Sequence, residues 1–260
     1  MHYWYQGEGP LLLFVPGGNG HGRQFNSIMA ALSDRFTCAT FDRRQMSASQ
    51  VKVNKKLSPP QQARDIRAVI KAVGFDKAIL FGSSSGGLFS FQLANDFPEM
   101  VDHVIAHEAA TLFLLPDAAE LYDWFLHLLE VYDTQGFDQA AAELETCFTG
   151  YSDEGIPKTT PPEPENPRNW FENELPMQIS YTPNFHRLKE NKISIGVMRG
   201  ARCKDAFFSR SSSEQAKILD CPCAVVPGHH GGFEVETEEF IPHLLEMLDT
   251  LERRRNDAQE

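Results

Sequence analysis

Residues 82–86, Gly-Ser-Ser-Ser-Gly, directly follow the fully apolar run Ala78–Phe81. The spacing Gly-x-Ser-x-Gly between a strand and a helix is typical of a nucleophile elbow, in which the serine hydroxyl is exposed on a sharp, strained turn. Glycine at both ends of the motif lets the backbone turn tightly and pack closely, because glycine has no Cβ. We therefore predict that Ser84 is a nucleophile and that a helix follows it, over about 88–95.

A histidine that could take the proton of Ser84 lies near the end of the chain. Residues 225–232 contain two valines, a Pro-Gly turn and two adjacent histidines between glycines. In a serine–histidine–acid triad the histidine is the general base, and in the chain order Ser, acid, His it comes last. The sequence favours His230 over His229, and the choice depends on hydrogen-bond reach to Ser84.

Two carboxylates follow apolar runs and could orient this histidine. Glu108 directly ends the run Val104–His107, where an unpaired carboxylate would be costly to bury. Asp205 comes shortly after the run Ile193–Met198, but it also precedes the helix-like segment Ala206–Phe208 and could cap that helix. The residues themselves leave both candidates open as the acid.

The negative charge that forms when a serine attacks a carbonyl needs two backbone N–H donors, one directly after the nucleophile and one in an early loop. Ser85 would supply the first donor. The early loop is Val15–Gly20, which follows an apolar strand candidate, and we assign the second donor to Gly18. This loop lacks the spacings of phosphate-binding and dinucleotide-binding loops, so no nucleotide cofactor is expected.

The charge balance argues against nucleic acid as a partner. The chain has 36 acidic and 24 basic residues, and its net charge is −12. Binding a polyanion requires a basic surface that displaces counterions, and the one basic run is Arg253–Arg255 near the end of the chain. The expected partner is a small-molecule substrate, and the expected state is a monomer or a homodimer.

Membrane association and metal binding are not expected either. The sequence has no uninterrupted apolar run of about 18 residues, and residues 1–9 lack the pattern of a signal peptide. The 5 cysteines lack the spacing of a disulfide framework, which indicates free thiols in a reducing, cytoplasmic compartment. Cys221-Pro-Cys223 has no second pair of ligands that would complete a zinc site.

Short apolar runs alternate with helical patterns along most of the chain, which predicts an α/β fold with a mostly parallel sheet. Apolar residues recur at helical spacing from Ala63 to Val73 and from Phe240 to Leu251, and Ser58-Pro59-Pro60 marks a helix start. The strand candidates are Tyr3–Gln6, Leu11–Val15, Thr37–Phe41, Ala78–Phe81, His103–His107, Ile193–Met198 and Cys223–Val226.

This alternation breaks between about Thr111 and Arg187. The stretch contains two amphipathic helix candidates, Ala118–Tyr132 and Phe137–Cys147, then the proline-rich loop Ile156–Pro167. We interpret residues 111–187 as an inserted helical cap and residues 1–110 and 188–260 as one core domain. Four aromatic residues of the cap could line a pocket for an apolar or aromatic substrate or pack inside the cap: Trp124, Trp170, Phe171 and Tyr181.

With these residues in place, the chain resembles the α/β-hydrolase superfamily over essentially its whole length. The segment Asp42–Ser49 is similar to the Asp-x-x-Gly-x-Gly-x-Ser-like loop of that superfamily, but Gln45 stands where glycine is usual. Glu108 lies 24 residues after Ser84. This resembles the branch that includes the zearalenone-type lactone hydrolases, whose catalytic acid is a Glu after the sixth strand. The Val15–Gly18 opening of the early loop is also similar to that branch.

The resemblance implies an α/β-hydrolase fold with a helical cap inserted after the sixth strand. It also implies a triad of Ser84, His230 and Glu108, with Asp205 as the reserve acid. The expected activity is hydrolysis of an ester or lactone without metal or organic cofactor. Hydrolysis of a C–C bond, acyl transfer and non-enzymatic binding of a small molecule remain alternatives, because the function depends on the site and the pocket rather than on the fold.

Overall fold

The computed structural model describes residues 1–257, so the last three residues of the predicted core segment lie outside the described range. Within residues 1–257 the strands form one seven-stranded sheet in the order β1-β3-β2-β4-β5-β6-β7. β1 pairs antiparallel with β3, and the other pairs are parallel. The strands are β1 Tyr3–Gln6, β2 Leu11–Val15, β3 Thr37–Phe41, β4 Ala78–Ser83, β5 Val101–His107, β6 Ile195–Gly200 and β7 Cys223–Val226. The predicted α/β fold with a mostly parallel sheet is confirmed.

Helices connect the parallel strands and cover the sheet. α2 begins where the sequence predicted a helix start, because the Ser58 side chain accepts a hydrogen bond from the Gln61 amide and Pro59 takes the first position. In the described part of the chain the α-helices are α1 Asn26–Leu32, α2 Pro59–Val73, α3 Ser85–Asp96, α4 Ala118–Gln135, α5 Phe137–Glu145, α6 Glu165–Asn173, α7 Leu175–Gln178, α8 Phe185–Glu190, α9 Phe207–Leu219, α10 Gly232–Val235 and α11 Thr237–Asp257.

The sheet has an apolar layer on each face. Leu80 of β4 packs with Ile66 of α2 and Phe89 of α3 in one buried cluster. Phe81, the next residue along β4, belongs to a second cluster that includes Leu244 of α11. Successive side chains of a strand point to opposite faces, so a central parallel strand must be apolar at every position. This explains why β2 and the first four residues of β4 are continuous apolar runs rather than alternating ones.

The chain leaves the sheet at His107 and returns to it at Ile195. Between these two residues the regular elements described are helical, and α4 to α7 share an apolar cluster that contains Phe125, Leu128 and Phe171. The insertion follows the fifth strand of this chain, whereas the resemblance counted it after the sixth. The division into a core of 1–110 and 188–260 and a cap of 111–187 stays a prediction with which this helical insertion agrees.

Candidate active site

Ser84 occupies the turn between β4 and α3, with a backbone φ of 56°. This is the left-handed region, which is unfavourable for a residue other than glycine and requires support from its surroundings. The support comes from the neighbouring strand end, because the Ser84 amide donates to the His107 carbonyl at 2.8 Å. A Cβ at Gly86 would overlap the Val15 carbonyl oxygen, and a Cβ at Gly82 would overlap Gly86. The two glycines of the motif are therefore required by close backbone approach.

Glu108 and His230 come together at the carboxyl edge of the sheet, next to Ser84. Glu108 follows β5, has a φ of 50° and is fully buried. His230 follows β7, and its Nδ1 lies 2.7 Å from Glu108 Oε2. The other carboxylate oxygen, Oε1, accepts the Gly200 amide at 2.9 Å, and Cys203 Sγ donates to Oε2 at 3.2 Å. Glu108 is thus held by three donors in a geometry that can orient an imidazole.

The surroundings of Glu108 keep it ionised. Burial by itself would raise its pKa, but hydrogen bonds from His230 and Cys203 and the nearby His107 outweigh burial and lower the pKa. For Cys203, burial and the adjacent Glu108 carboxylate raise the pKa of the thiol. The thiol therefore remains protonated and donates its hydrogen to the carboxylate.

Asp205 and His229, the other candidates for acid and base, have different environments. Asp205 is exposed after β6, and its backbone carbonyl accepts a hydrogen bond from Arg210 Nε at 3.0 Å. The His229 ring stacks on Tyr151 at a centroid distance of 3.7 Å, and its Nδ1 accepts the Gly231 amide at 2.9 Å. Burial, together with the neighbouring His230, lowers the pKa of His229 to about 4. The structure brings Glu108 and His230 into hydrogen-bond contact, and within the described residues neither Asp205 nor His229 shares a hydrogen bond with that pair.

The early glycine loop passes directly over the elbow. A Cβ at Gly17 would lie 2.9 Å from Ser84 Cβ, and a Cβ at Gly18 would lie 3.4 Å from Trp170 Nε1. Ser85 is the first residue of α3 and directly follows Ser84. The two predicted oxyanion donors, Gly18 and Ser85, therefore belong to the two backbone segments that flank Ser84.

A cavity of about 520 Å³, counting its part open to solvent, lies between this edge of the sheet and the cap. Ser84, Ser85, Gln178 and His230 are at its polar end. Its remaining walls are mainly apolar, and no Asp, Glu, Lys or Arg is among the described residues that line it. The rings of Phe208 and Phe148 lie 4.3 Å and 5.5 Å from the His230 ring, centroid to centroid. The cavity thus has a serine hydroxyl and an imidazole among otherwise mainly apolar, uncharged walls.

Residues 10–148 match the model of the family described as the alpha/beta hydrolase fold. The chain belongs to the α/β-hydrolase fold family. The observed strand order and the sharp turn at Ser84, between β4 and α3, agree with this family assignment. Membership in the family supports the conclusion that the protein is a hydrolase.

Several known proteins are similar to this chain over nearly its whole length. The uncharacterized hydrolase YraK of Bacillus subtilis is 26% identical over 255 residues, which are 96% of this chain and 92% of that protein. A thermophilic esterase from Thermogutta terrifontis has a TM-score of 0.72 at 18% identity and covers 96% of this chain and 93% of its own. The enol-lactonase from Burkholderia xenovorans has a TM-score of 0.72 at 17% identity, with coverages of 95% and 96%. At these identities the two structures share the α/β-hydrolase fold with this chain.

The loop after β3 keeps a glycine-like backbone without glycine. Gln45 stands where the α/β-hydrolase pattern has glycine, and its φ is 70°. Its side chain bonds to both backbone groups of Lys55, with Nε2 donating to the carbonyl at 3.0 Å and Oε1 accepting from the amide at 2.8 Å. These hydrogen bonds offset the cost of the left-handed backbone, so the loop can tolerate the departure from the pattern.

The predicted aromatic lining of the pocket needs correction. Of the four candidates, Trp170 lines the cavity, whereas Trp124, Phe171 and Tyr181 do not. Phe171 stacks on Tyr132 inside the cap, and Trp124 packs against Phe125. The Tyr181 hydroxyl donates to Gln92 of α3. Sequence position alone does not tell which side of a cap helix faces the cavity: Trp124 and Phe171 are on packed sides of α4 and α6, and Tyr181 lies between α7 and α8 against the core.

Other aromatic residues of the lining were missed by sequence reasoning. They are Phe125 of α4, Phe148 just beyond α5, and Phe207 and Phe208 at the start of α9. The pair at 207 and 208 follows a strand end, and in an α/β sheet the ends of the strands border the site. That rule is a signal available in the sequence, and the pair also begins α9, as the helix-like segment Ala206–Phe208 predicts.

Among residues 1–257, no group of three or more His, Cys, Asp or Glu side chains could hold a metal ion. All five cysteines are free. No helix in the described range is both long and apolar enough to cross a membrane.

Proposed function

We propose that this protein is a serine hydrolase that cleaves an ester or lactone of a small, uncharged, apolar or aromatic metabolite. Ser84 is the nucleophile, His230 the general base and Glu108 the acid that orients the base. The observation that carries the proposal is the 2.7 Å contact between His230 Nδ1 and Glu108 Oε2 beside a cavity that His230 shares with Ser84. The family membership and the esterase and lactonase folds among its structural relatives support it.

The first half of the reaction forms an acyl-enzyme. Glu108 accepts the Nδ1 hydrogen of His230, which leaves the Nε2 lone pair free to take a proton. Ser84 Oγ attacks the carbonyl carbon as His230 takes the hydroxyl proton, and the amides of Gly18 and Ser85 bind the oxyanion. The tetrahedral intermediate collapses, the bond to the leaving oxygen breaks, and His230 gives its proton to that oxygen. In a lactone the leaving oxygen stays attached to the acyl group.

The second half restores the enzyme. A water molecule loses a proton to His230 and attacks the acyl carbon, and the Ser84–acyl bond breaks as His230 returns the proton to Oγ. The products are a carboxylic acid and an alcohol, or one hydroxy acid from a lactone. Each step uses side chains and backbone amides of this chain, and none requires a redox change.

The chemistry of the cavity supports the substrate class. Burying a charged group against apolar walls without a partner is unfavourable, and no acidic or basic residue among the described ones lines this cavity. Leu112, Leu144 and Ile179 border the space where the acyl or alcohol part would lie. We therefore expect esters with short apolar or aromatic groups to react faster than esters with a second carboxylate.

The proposal is tested with a fluorophosphonate probe and p-nitrophenyl butyrate, using wild type, Ser84→Ala and the matched control Ser83→Ala. Loss of a triad serine lowers kcat by about 10⁶-fold in well-studied cases. We expect wild type and Ser83→Ala to be labelled and to hydrolyse the ester, and Ser84→Ala to do neither while keeping its circular dichroism spectrum.

Three results would contradict this proposal in whole or in part. Equal turnover in wild type and a folded Ser84→Ala would exclude Ser84 as the nucleophile. A wild type that neither reacts with the probe nor hydrolyses any member of a panel of aryl esters and lactones would favour the small-molecule receptor. Labelling and ester hydrolysis combined with faster cleavage of a C–C bond substrate would overturn the ester or lactone assignment while leaving Ser84 as the nucleophile.

A further inference from the structure

An ion pair between Arg43 and Glu174 crosses the boundary between the core and the cap. Arg43 follows β3, Glu174 immediately precedes α7, and both side chains are fully buried. Among the described residues, Arg43 Nε and Glu174 Oε1 have no hydrogen-bond partner. A buried pair with unsatisfied atoms contributes little net stability, because the loss of hydration offsets the attraction between the charges. Stability is therefore a poor explanation for this pair.

The second contact of Arg43 lies in the glycine loop over the elbow. Arg43 Nη1 donates to the Gly17 carbonyl at 2.8 Å, and the guanidinium lies over the Phe89 ring at 5.0 Å. A trans peptide is planar, and its C=O and N–H point in opposite directions. Binding the Gly17 oxygen on one side therefore directs the Gly18 N–H towards the other side. The positive charge of Arg43 also polarises this peptide, which makes its N–H a stronger donor.

The other oxyanion donor is bound to the same part of the cap. Ser85 Oγ donates to Gln178 Oε1 at 2.7 Å, and Gln178 Nε2 donates to Glu174 Oε2 at 3.0 Å. Trp170 Nε1 donates to Gln178 Oε1 at 3.2 Å and lies against Gly18. Residues 174–178 thus contact the segments of both donors, one through Arg43 and one through the Ser85 hydroxyl.

We propose that Arg43 is a positioning residue for the oxyanion hole and that Glu174 and Gln178 of the cap hold it and Ser85 in place. The inference rests on the proposed serine hydrolase function and extends it. Arg43 touches no reacting atom, and it acts by directing the Gly18 amide. Oxyanion donors must be correctly oriented before the reaction begins, since they act where negative charge develops in the transition state. Loss of this orientation should lower kcat and leave KM nearly unchanged.

The test compares two double variants that each remove one ion pair between core and cap. Arg43→Met with Glu174→Met removes both charges and leaves neither one buried alone. Arg210→Met with Asp117→Met is the matched control, because Arg210 of α9 binds Asp117 of the cap through two hydrogen bonds of 2.7 Å and 2.8 Å. The control pair is partly exposed and does not contact the glycine loop.

With p-nitrophenyl butyrate, we expect kcat of the Arg43/Glu174 variant to fall about 10- to 100-fold. This decrease in kcat is smaller than the one expected when an oxyanion-hole donor is removed entirely. KM should stay within about twofold, and the rate of fluorophosphonate labelling should fall in parallel with kcat. The Arg210/Asp117 variant should keep the wild-type kcat. An unchanged kcat in a folded Arg43/Glu174 variant, or an equal loss in both double variants, would overturn the proposal.

Arg43→Lys keeps the test decisive if the double variant does not fold. Lysine retains a charge opposite Glu174 but lacks the planar fork that reaches Gly17 and Glu174 together. We expect a loss of about 3- to 10-fold in kcat, again without a matching change in KM. Wild-type kcat in Arg43→Lys would also overturn the proposal. A wild type that is active and labelled at Ser84 while these variants are unaffected refutes the positioning role alone, whereas an inactive wild type refutes the proposed function.

Discussion

The carboxyl edge of the sheet and the cap position their side chains by different means. At the edge, Ser84 and Glu108 directly follow β4 and β5, whose last residues are paired in parallel register as Ser83 with His107. Both side chains sit on left-handed backbone, with φ of 56° and 50°. Their directions are therefore set by the main chain, which is anchored in the sheet.

The cap is attached to the core mainly through side chains. Asn166 of α6 donates to the Asn19 carbonyl at 2.9 Å, and Glu163 accepts the Ser47 hydroxyl at 2.5 Å. The cap residues in the cavity are held by packing among apolar neighbours. The side-chain directions of Ser84 and Glu108 thus depend on backbone geometry, whereas the shape of the pocket depends on replaceable side chains. Changes at the edge should affect kcat by large factors, and changes in the aromatic cap residues that line the cavity should affect KM by small ones.

The largest expected effect is at Glu108. Glu108→Gln removes the charge that stabilises the imidazolium and can bind the wrong tautomer of His230, so we expect kcat to fall by about 10³- to 10⁴-fold. Asp205→Asn is the matched control and should keep kcat within about twofold, because Asp205 is exposed and, within residues 1–257, shares no hydrogen bond with Glu108 or His230. Steady-state kinetics of both variants with one ester decides whether Glu108 or Asp205 is the acid. A large loss in Asp205→Asn with little change in Glu108→Gln would reverse the assignment of the acid.

The second prediction concerns the pH dependence of the free energy of unfolding, which the buried His107 at the end of β5 should influence. His107 is fully buried, and burial lowers its pKa from 6.5 to about 4. The folded state thus favours neutral His107. The stability this gives is present above pH 6.5 and is lost as the pH falls towards 4. Between pH 7 and pH 5 this group should lower the free energy of unfolding by about 2 kcal/mol.

Chemical denaturation of wild type and His107→Phe at both pH values measures this contribution. The Phe81, Phe233 and Phe240 rings surround His107, so a phenyl ring suits the apolar site. The variant should lose less stability on acidification than wild type, by about 2 kcal/mol. Identical losses in the two proteins would show that His107 does not titrate differently on unfolding.

The smallest expected effect is in the cap. Trp170 lines the cavity and Trp124 does not. Trp170→Leu should change KM for aryl esters by about 3- to 10-fold, because it removes part of the apolar contact that one side chain makes with the substrate. Trp124→Leu should leave KM unchanged. KM values for phenyl and butyl esters provide the measurement. Equal changes in the two variants would mean that the cap acts on the substrate through its overall packing rather than through the residues at the cavity.

Local patterns predicted much of the fold and of the candidate site. The elbow around Ser84 is recognisable because its strand, glycines and helix are contiguous in sequence, and the apolar runs predict all seven strands to within two residues at each end. Glu108 is recognisable as a candidate acid because it directly ends a buried run. The roles of Ser84, His230 and Glu108 in a reaction remain predictions that the proposed experiments test.

The residues of the pocket could not be predicted in the same way. Phe171 and Trp170 are adjacent in sequence, but one packs inside the cap and the other faces the cavity. Successive positions on a helix are separated by about 100°, so a small rotation of the helix exchanges their environments. The orientation of α6 depends on contacts with the core that are remote in sequence, such as Asn166 with Asn19.

The sequence by itself determined the α/β class, the position of the strained turn and the short set of residues able to act as nucleophile, base and acid, because these follow from patterns within a few residues. Only the tertiary structure decided that His230 rather than His229 meets Glu108, that Trp170 alone of four aromatic candidates borders the cavity, and that Arg43 joins Gly17 to Glu174. These contacts join segments far apart in the chain, and their geometry depends on how the sheet and the cap pack together.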